Sequence, residues 1–184
     1  MDASTQVAPG TGAAEGRRSF AALLYCARSG STFLAHRLAR VDRRLAVVPE
    51  FRLMLLLLWL GDARVRALDA AALLDLMRDD VQIGNLAFGP DALPDLAARL
   101  AGGGVRDVIE GVVDAHLEAA GLADATVAVL KQGRLAQNAE RLAEAFPEMR
   151  GIHVVRDPRG AANSMINTRS PNDEHRPLAR GNIV

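Results

Sequence analysis

The chain has 184 residues, and a globular chain of this length buries about 70% of the surface that its unfolded form exposes. Lysine and arginine together number 22, as do aspartate and glutamate, so no overall positive field exists to hold nucleic acid or an anionic membrane. The single cysteine, Cys26, excludes an internal disulfide and a cysteine-built metal cage, which fits a reducing compartment such as the cytoplasm. The longest apolar run, Leu53–Leu60, has eight residues, whereas a membrane-spanning helix needs about 20. We therefore expect no membrane span.

Residues 1–18 are rich in Ala, Gly, Ser and Thr and have no apolar signal core before Arg17 and Arg18, so they are predicted to form a flexible leader. Residues 19–184 are predicted to form a single domain. The few aromatic residues and the many Ala, Leu and Arg residues favour helix-rich packing over an all-β sandwich. Composition thus leaves the mixed α/β class and the all-α class.

Four short apolar runs are predicted to be buried strands, because none has the alternation of a half-exposed strand. They are residues 20–25, 45–48, 126–130 and 152–155. Segments with helical spacing separate them, including Leu34, Leu38 and Val41, and then Leu135, Ala139, Leu142 and Phe146. Strands that alternate with helices imply right-handed crossovers. The sequence therefore predicts an α/β fold with a mostly parallel sheet and helices on both faces.

The stretch from about residue 52 to residue 121 has helical patterns almost throughout and is predicted to be a helical insertion. Only residues 81–88 are a possible extended piece. Residues 171–175, which follow Ser170, are predicted to form a polar loop.

The most informative segment follows the first predicted strand, where a loop of small residues precedes a predicted helix. Backbone N–H groups at a helix N-terminus have no intrahelical partner and the helix dipole adds partial positive charge, so this segment forms a cradle for an anion such as phosphate. It does not match a nucleoside-triphosphate loop of the Walker type, because the early glycine and the lysine are missing. A simple turn with a helix cap is the alternative interpretation. The segment comprises Arg28, Ser29, Gly30, Ser31, Thr32 and Phe33.

The second segment follows the last predicted strand. Pro158 is predicted to begin a helix, with Arg156 at the carboxyl end of the strand and Ser164 about two turns along the helix. Both side chains can face the crevice in which open α/β sheets bind ligands. A guanidinium and a hydroxyl together suit a terminal phosphate, which arginine binds through two parallel hydrogen bonds. The alternative interpretation is a local ion pair between Arg156 and Asp157 beside a helix cap.

Taken together, the two segments resemble the sulfotransferases that use 3′-phosphoadenosine 5′-phosphosulfate, a family with a P-loop-like α/β fold. In that family the first strand–loop–helix binds the 5′-phosphosulfate, and residues 28–32 stand at that place. The 3′-phosphate is bound by an arginine at a strand end and a serine eight residues later, which Arg156 and Ser164 match in identity and spacing. The resemblance covers residues 20 to about 169. It implies metal-independent transfer of a sulfuryl group to a hydroxyl or amine on a small molecule, a glycan or a lipid.

The resemblance also implies catalytic residues. Arg28 stands where the family has a Lys or Arg that neutralises charge on the leaving phosphate. One branch carries a lysine, one further residue and then a histidine base, and this chain has Lys131, Gln132 and Gly133 at that place. Lys131 is therefore expected to keep a catalytic role beside the transferring group, whereas Gly133 cannot be a base. In another branch a glutamate after the second strand is the base, and Glu50 lies at that place. The alternative for Glu50 is a helix-start carboxylate that the helix dipole favours.

The length of the chain and its loop sequences leave further interpretations open. Family members continue well beyond the helix that binds the 3′-phosphate, so we expect a shortened relative or the N-terminal portion of the fold. A phosphoryl-transfer enzyme with a degenerate phosphate loop and a nucleotide-binding chain without catalysis are the alternative functions.

The apolar residues 52–60 are expected to pack in the core, or else to line an acceptor pocket beside Glu50.

Overall fold

The sheet of this protein has four strands, in the order β2-β3-β1-β4, and each neighbouring pair is parallel. The computed structural model describes residues 18–167, 169–170 and 173–177, the last two ranges through their backbone alone. The predicted leader therefore lies outside the described residues, apart from Arg18. The α/β class, predicted from the alternation of strands and helices, is confirmed. The strands of this sheet are β1 (Ser19–Tyr25), β2 (Leu45–Val48), β3 (Val127–Lys131) and β4 (Arg150–Val154).

The register of the sheet brings the carboxyl ends of the strands to one edge. Val48 is paired with Leu130 in the neighbouring strand, and Lys131 is paired with Leu23. On the other side of β1, Tyr25 is paired with the last residue of β4. The loops that follow all four strands are thereby held side by side. The observed strands differ from the four predicted runs by no more than two residues at either end.

Most of the helical structure lies between β2 and β3, as predicted for the insertion. Five α-helices belong to this region, and none in the described part of the chain is long and apolar enough to cross a membrane. The helices of the described residues are α1 (Ser31–Val41), α2 (Leu53–Leu60), α3 (Asp62–Arg66), α4 (Ala70–Arg78), α5 (Leu93–Leu100), α6 (Val105–Ala119), α7 (Ala139–Ala145) and α8 (Pro158–Asn167).

Different helices cover the two faces of the sheet. On one face, Phe20 and Leu130 belong to a large core cluster that includes the insertion and Leu142 of α7. On the other face, Leu23 packs with Leu34 of α1 in a smaller cluster. The helices that follow β1 and β3 thus lie on opposite faces, although these two strands are neighbours. Open α/β sheets bind ligands outside the carboxyl ends of their strands at such a reversal.

The prediction of an extended piece at residues 81–88 is wrong, because this segment contains turns and a short 3₁₀ helix at Ile83–Asn85. The cause is a buried carboxylate just before it. Asp80 accepts hydrogen bonds from the backbone N–H of Gln82 at 2.8 Å and from that of Leu53 at 2.7 Å. These bonds turn the chain back toward the start of α2.

The polar loop predicted after Ser170 is also corrected. Its second half belongs to β6 (Asp173–Pro177), which pairs in the antiparallel direction with β5 (Arg169–Ser170). The polar composition suggested a loop, but backbone pairing does not require apolar side chains. Pro171 and Asn172 lie outside the described residues.

Candidate active site

The loop between β1 and α1 presents backbone donors that no side chain satisfies. Gly30 has a φ of 94°, a left-handed conformation that favours glycine, and its carbonyl accepts the first helical hydrogen bond from Leu34 at 3.0 Å. No side chain caps α1, and its first turn contains no acidic residue. The N–H groups of this first turn are therefore available to an anion.

Ser29 adds a hydroxyl whose hydrogen-bonding capacity is unused. The residue is only 8% exposed, and its Oγ has no hydrogen-bond partner among the described residues. Burying a polar group without a partner costs about 1–3 kcal/mol, whereas a bound oxyanion would accept its hydrogen bond. The orphaned hydroxyl and the uncapped helix thus independently indicate an anion site in the same loop.

The fold brings the two sequence segments into direct contact. Arg28 Nε donates a hydrogen bond to Ser164 Oγ at 3.0 Å, although the two residues are 136 positions apart in the sequence. Arg156 Nη1 donates to the backbone carbonyl of Arg28 at 2.9 Å. Arg28 has a φ of 64°, which is uncommon for a residue other than glycine. The guanidinium and the hydroxyl predicted to bind one phosphate therefore border the loop predicted to bind another.

The start of α8 differs from that of α1, because a carboxylate closes it. Asp157 accepts a hydrogen bond from the backbone N–H of Arg159 at 2.9 Å and forms an ion pair with the Arg159 guanidinium at 2.7 Å. The predicted helix cap is thus present at Asp157, but the ion pair predicted as the alternative for Arg156 is wrong, since the partner of Asp157 is Arg159. The Arg156 side chain instead lies against Gly160, where an added Cβ would approach its Nε to 3.2 Å.

A second group of polar side chains meets beyond the ends of β1, β2 and β3. Tyr25 donates a hydrogen bond from its hydroxyl to Glu50 Oε1 at 2.7 Å, and Lys131 forms an ion pair with the same oxygen. The side chain of Gln82 also acts to lower the pKa of this carboxylate. The predicted base, Glu50, and the predicted catalytic lysine, Lys131, are therefore in contact.

These contacts shift the pKa of Glu50 and that of Tyr25. Burial acts to raise the pKa of Glu50, but the hydrogen bonds from Lys131 and Tyr25 and the lysine charge outweigh it, so this pKa lies below its ordinary value. Burial raises the pKa of Tyr25 well above its ordinary value, and the adjacent carboxylate of Glu50 adds to the shift. At neutral pH Glu50 is therefore a carboxylate and Tyr25 is a neutral phenol.

Side-chain amides hold the backbone around Glu50 in place. Gln132, only 3% exposed, donates from Nε2 to the Phe51 carbonyl at 2.9 Å and to Gln82 Oε1 at 3.2 Å. Asn85 Nδ2 donates to the carbonyl of Glu50 at 3.0 Å. The backbone carbonyls of Glu50 and Phe51 are thus held by side chains from two other loops.

The alternative interpretation of Glu50 as a helix-start carboxylate is wrong. Helix α2 begins at Leu53, and it is Asp80 that accepts a hydrogen bond from the Leu53 N–H. Glu50 lies three residues before the helix, and its side chain contacts Tyr25 and Lys131.

A cleft of about 360 Å³ opens beside Glu50 and Lys131, within the size range of small-molecule sites. Thr32 of the anion-binding loop also contributes to its wall, so the start of α1 adjoins both groups of polar residues. Among the described residues, no three His, Cys, Asp or Glu side chains come together as a potential metal site. The cleft is lined by Thr32, Ala35, His36, Ala39, Val47, Val48, Pro49, Glu50, Asn85 and Lys131.

Sequence reasoning did not identify Tyr25, Gln82 or Gln132 as site residues. Tyr25 could have been found, because it is the only tyrosine and it ends the strand that leads into the anion-binding loop. Gln132 directly follows Lys131, but its contact with Phe51 depends on how the insertion folds. No sequence pattern connects Gln82 with Glu50, since the segment that contains Gln82 was predicted to be extended.

Because Tyr25 is the only tyrosine, its ionisation can be followed by ultraviolet absorption of the tyrosinate. We expect it to ionise well above pH 10, the usual value for tyrosine, and Glu50→Gln to lower its pKa by removing the adjacent negative charge. A pKa that is raised on folding stabilises the protein below the unfolded value, so the free energy of unfolding should fall as the pH rises above about 10. Glu118→Gln, on the exposed side of α6, is the matched control. Ionisation of the native protein near pH 10 would contradict the buried contact.

The chain was compared with protein families, with curated sequences and with solved structures. None of these comparisons returned a match. The functional assignment therefore depends on the residues and contacts described above.

Proposed function

We propose that this protein is a sulfotransferase that moves a sulfuryl group from 3′-phosphoadenosine 5′-phosphosulfate to a hydroxyl or amine acceptor. The observation that carries the proposal is the hydrogen bond from Arg28 to Ser164, which joins two distant segments of matching chemistry. A nucleotide with phosphates at both the 3′ and the 5′ positions needs two anion sites at a fixed separation. The loop at residues 28–32 and the pair formed by Arg156 and Ser164 offer two such sites side by side.

The residues present fit the donor nucleotide. The Ser29 hydroxyl and the N–H groups at the start of α1 would hold the 5′-phosphosulfate. Arg156 and Ser164 would hold the 3′-phosphate, since a guanidinium binds phosphate oxygens through parallel hydrogen bonds. Phe33 is 72% exposed beside the loop and offers an aromatic face to the purine.

Transfer requires the acceptor atom, the sulfur and the leaving oxygen to lie in line, so much of the catalysis is positioning. As the acceptor oxygen or nitrogen bonds to sulfur, the bond from sulfur to the 5′-phosphate oxygen breaks. The leaving group is 3′,5′-bisphosphoadenosine, and Arg28 and Lys131 would neutralise the charge that develops on it. The proton of the acceptor passes to Glu50, which acts as the general base.

The environment of Glu50 suits this role. Its lowered pKa keeps the carboxylate ionised and able to accept a proton at neutral pH. Lys131 contacts Glu50 directly and lines the cleft that Thr32 borders. If Lys131 turns from Glu50 toward the sulfuryl oxygens, the carboxylate loses its strongest partner and becomes a stronger base.

Calorimetric binding of 3′,5′-bisphosphoadenosine tests the nucleotide site with a matched pair of arginines. Arg156→Ala should weaken binding roughly tenfold to a hundredfold, the effect of losing charged hydrogen bonds to a phosphate. Arg159→Ala should leave the affinity unchanged, because the guanidinium of Arg159 is paired with Asp157. The native chain should also prefer this nucleotide to adenosine 5′-phosphosulfate, which lacks the 3′-phosphate.

Two results would argue against this site. Equal binding of ATP in a magnesium-dependent manner would favour phosphoryl transfer. An Arg159→Ala effect as large as that of Arg156→Ala would indicate that only the general positive charge of this region matters.

Ser29→Ala separates a ligand-binding role of this buried hydroxyl from a structural one. Removing an unsatisfied group should leave the free energy of unfolding unchanged or raise it by about 1 kcal/mol, while bisphosphoadenosine binds more weakly. By contrast, Ser31→Ala removes a buried hydroxyl that acts to lower the pKa of Tyr25, and it should lower the free energy of unfolding by about 1 kcal/mol. Urea denaturation and calorimetry give the two quantities. Loss of stability in Ser29→Ala with unchanged nucleotide affinity would assign the hydroxyl to the fold.

Glu50→Gln tests the chemical step. With labelled donor and a panel of hydroxyl acceptors, this variant should lose roughly a hundredfold or more in the rate of sulfate transfer, since general-base catalysis contributes that much. Its affinity for bisphosphoadenosine should stay close to that of the native chain. Glu118→Gln is again the matched control. Donor binding without transfer to any acceptor by the native chain would favour nucleotide binding without catalysis.

A further inference from the structure

A second cleft, of about 540 Å³, opens beyond the carboxyl end of β3, between the start of α2 and the end of α4. Its volume is within the range of small-molecule sites. Part of its wall is apolar, because Leu55, Leu56 and Leu76 line it and each is only half-buried. Half-buried leucines in a concave surface favour a ligand with an apolar portion.

Two arginines line the same cleft. Neither Arg52 nor Arg134 directs its guanidinium into a hydrogen bond or ion pair with a described residue. Of the two acidic residues in the wall, Asp80 already accepts two backbone N–H groups, which leaves Asp79 as the only other carboxylate there. Two arginines and two aspartates thus balance in formal charge, but the two guanidiniums have no partner among the described residues and can donate hydrogen bonds to an anionic group.

The backbone at Arg134 supports a functional role for this side chain. Its φ is 71°, a left-handed conformation that is unfavourable for a residue other than glycine. Such strain concentrates at binding and catalytic sites. In the described part of the chain, Arg28 of the anion-binding loop is the only other non-glycine residue with a positive φ.

The cleft adjoins the proposed base. Gln132 lines the cleft and donates a hydrogen bond from Nε2 at 2.9 Å to the carbonyl of Phe51, the residue after Glu50, so one side chain borders both sites. Gly133 also lines the cleft, two residues after Lys131, and an added Cβ there would meet nothing within 4 Å. A ligand in this cleft can therefore approach the transfer site without a side chain at position 133 in its way.

We infer that this cleft binds the acceptor and that the acceptor is an amphiphilic alcohol with one anionic group. Its apolar portion lies on the three leucines, its anionic group is bound by Arg52 and Arg134, and its hydroxyl reaches Glu50. This inference rests on the proposed function, which it extends by naming the chemical class of the acceptor.

Two probes of equal length test the acceptor class, 10-hydroxydecanoate and decane-1,10-diol, which differ in a carboxylate. Calorimetry with the chain saturated with 3′,5′-bisphosphoadenosine should show about tenfold tighter binding of the hydroxy acid. The double variant Arg52→Gln/Arg134→Gln should bind both probes equally while it keeps its affinity for the nucleotide. Arg99→Gln, an exposed arginine of α5 outside the cleft, should keep the preference.

The outcomes separate the acceptor class from the function itself. Equal binding of the two probes by the native chain, or a preference that persists in the double variant, overturns the inference even if the nucleotide binds. If no nucleotide binds, the proposed function is wrong, and the same probe comparison without nucleotide still decides the ligand class of the cleft. If the double variant fails to fold, the two single variants should each reduce the preference, and no reduction in either would overturn the inference.

Discussion

The ion pair between Glu50 and Lys131 is the interaction on which the site depends, because it joins the segments that leave two different strands. With the hydroxyl of Tyr25 on the same carboxylate oxygen, it connects the ends of β1, β2 and β3. Removing one partner of a partly buried pair leaves the other charge without compensation, so the three residues act as a unit. The hydrogen bond from buried Gln132 to half-buried Gln82 extends this unit into the helical insertion. The insertion thus has a direct part in orienting the proposed base.

The sequence is sufficient to predict the strands and their parallel pairing, and insufficient to predict their order or how the insertion packs on the sheet. Strands such as 45–48 are short, apolar and buried, so they have one interpretation, and their alternation with helices implies parallel pairing. Residues 81–88 have the same apolar character but form turns, because the buried Asp80 binds backbone N–H groups on both sides of a bend. That effect depends on tertiary contacts with Leu53, which no local pattern encodes.

The candidate site likewise contains some contacts that the sequence could predict and others that it could not. The meeting of Arg28, Arg156 and Ser164 at one edge of the sheet could be predicted, because their positions at strand ends and along one helix are local properties. Contacts that cross between loops, such as that of Tyr25 with Glu50, could not be predicted, because they require the order of the strands. The partner of Asp157 was also misassigned, since Arg156 and Arg159 are both close in the sequence and only the helix geometry selects Arg159.

The position of β4 at the edge of the described sheet has a consequence for ligand binding. Only Ile152 and Val154 of this strand are even half-buried, so few apolar contacts hold β4 to the core. Such a segment opens locally at a low free energy. A ligand that bridges Arg156 and the loop after β1 would attach this edge to the interior of the sheet. Part of the binding free energy would then be used to order this edge of the sheet. Hydrogen exchange of the backbone amides of β4 would slow as the ligand concentration rises.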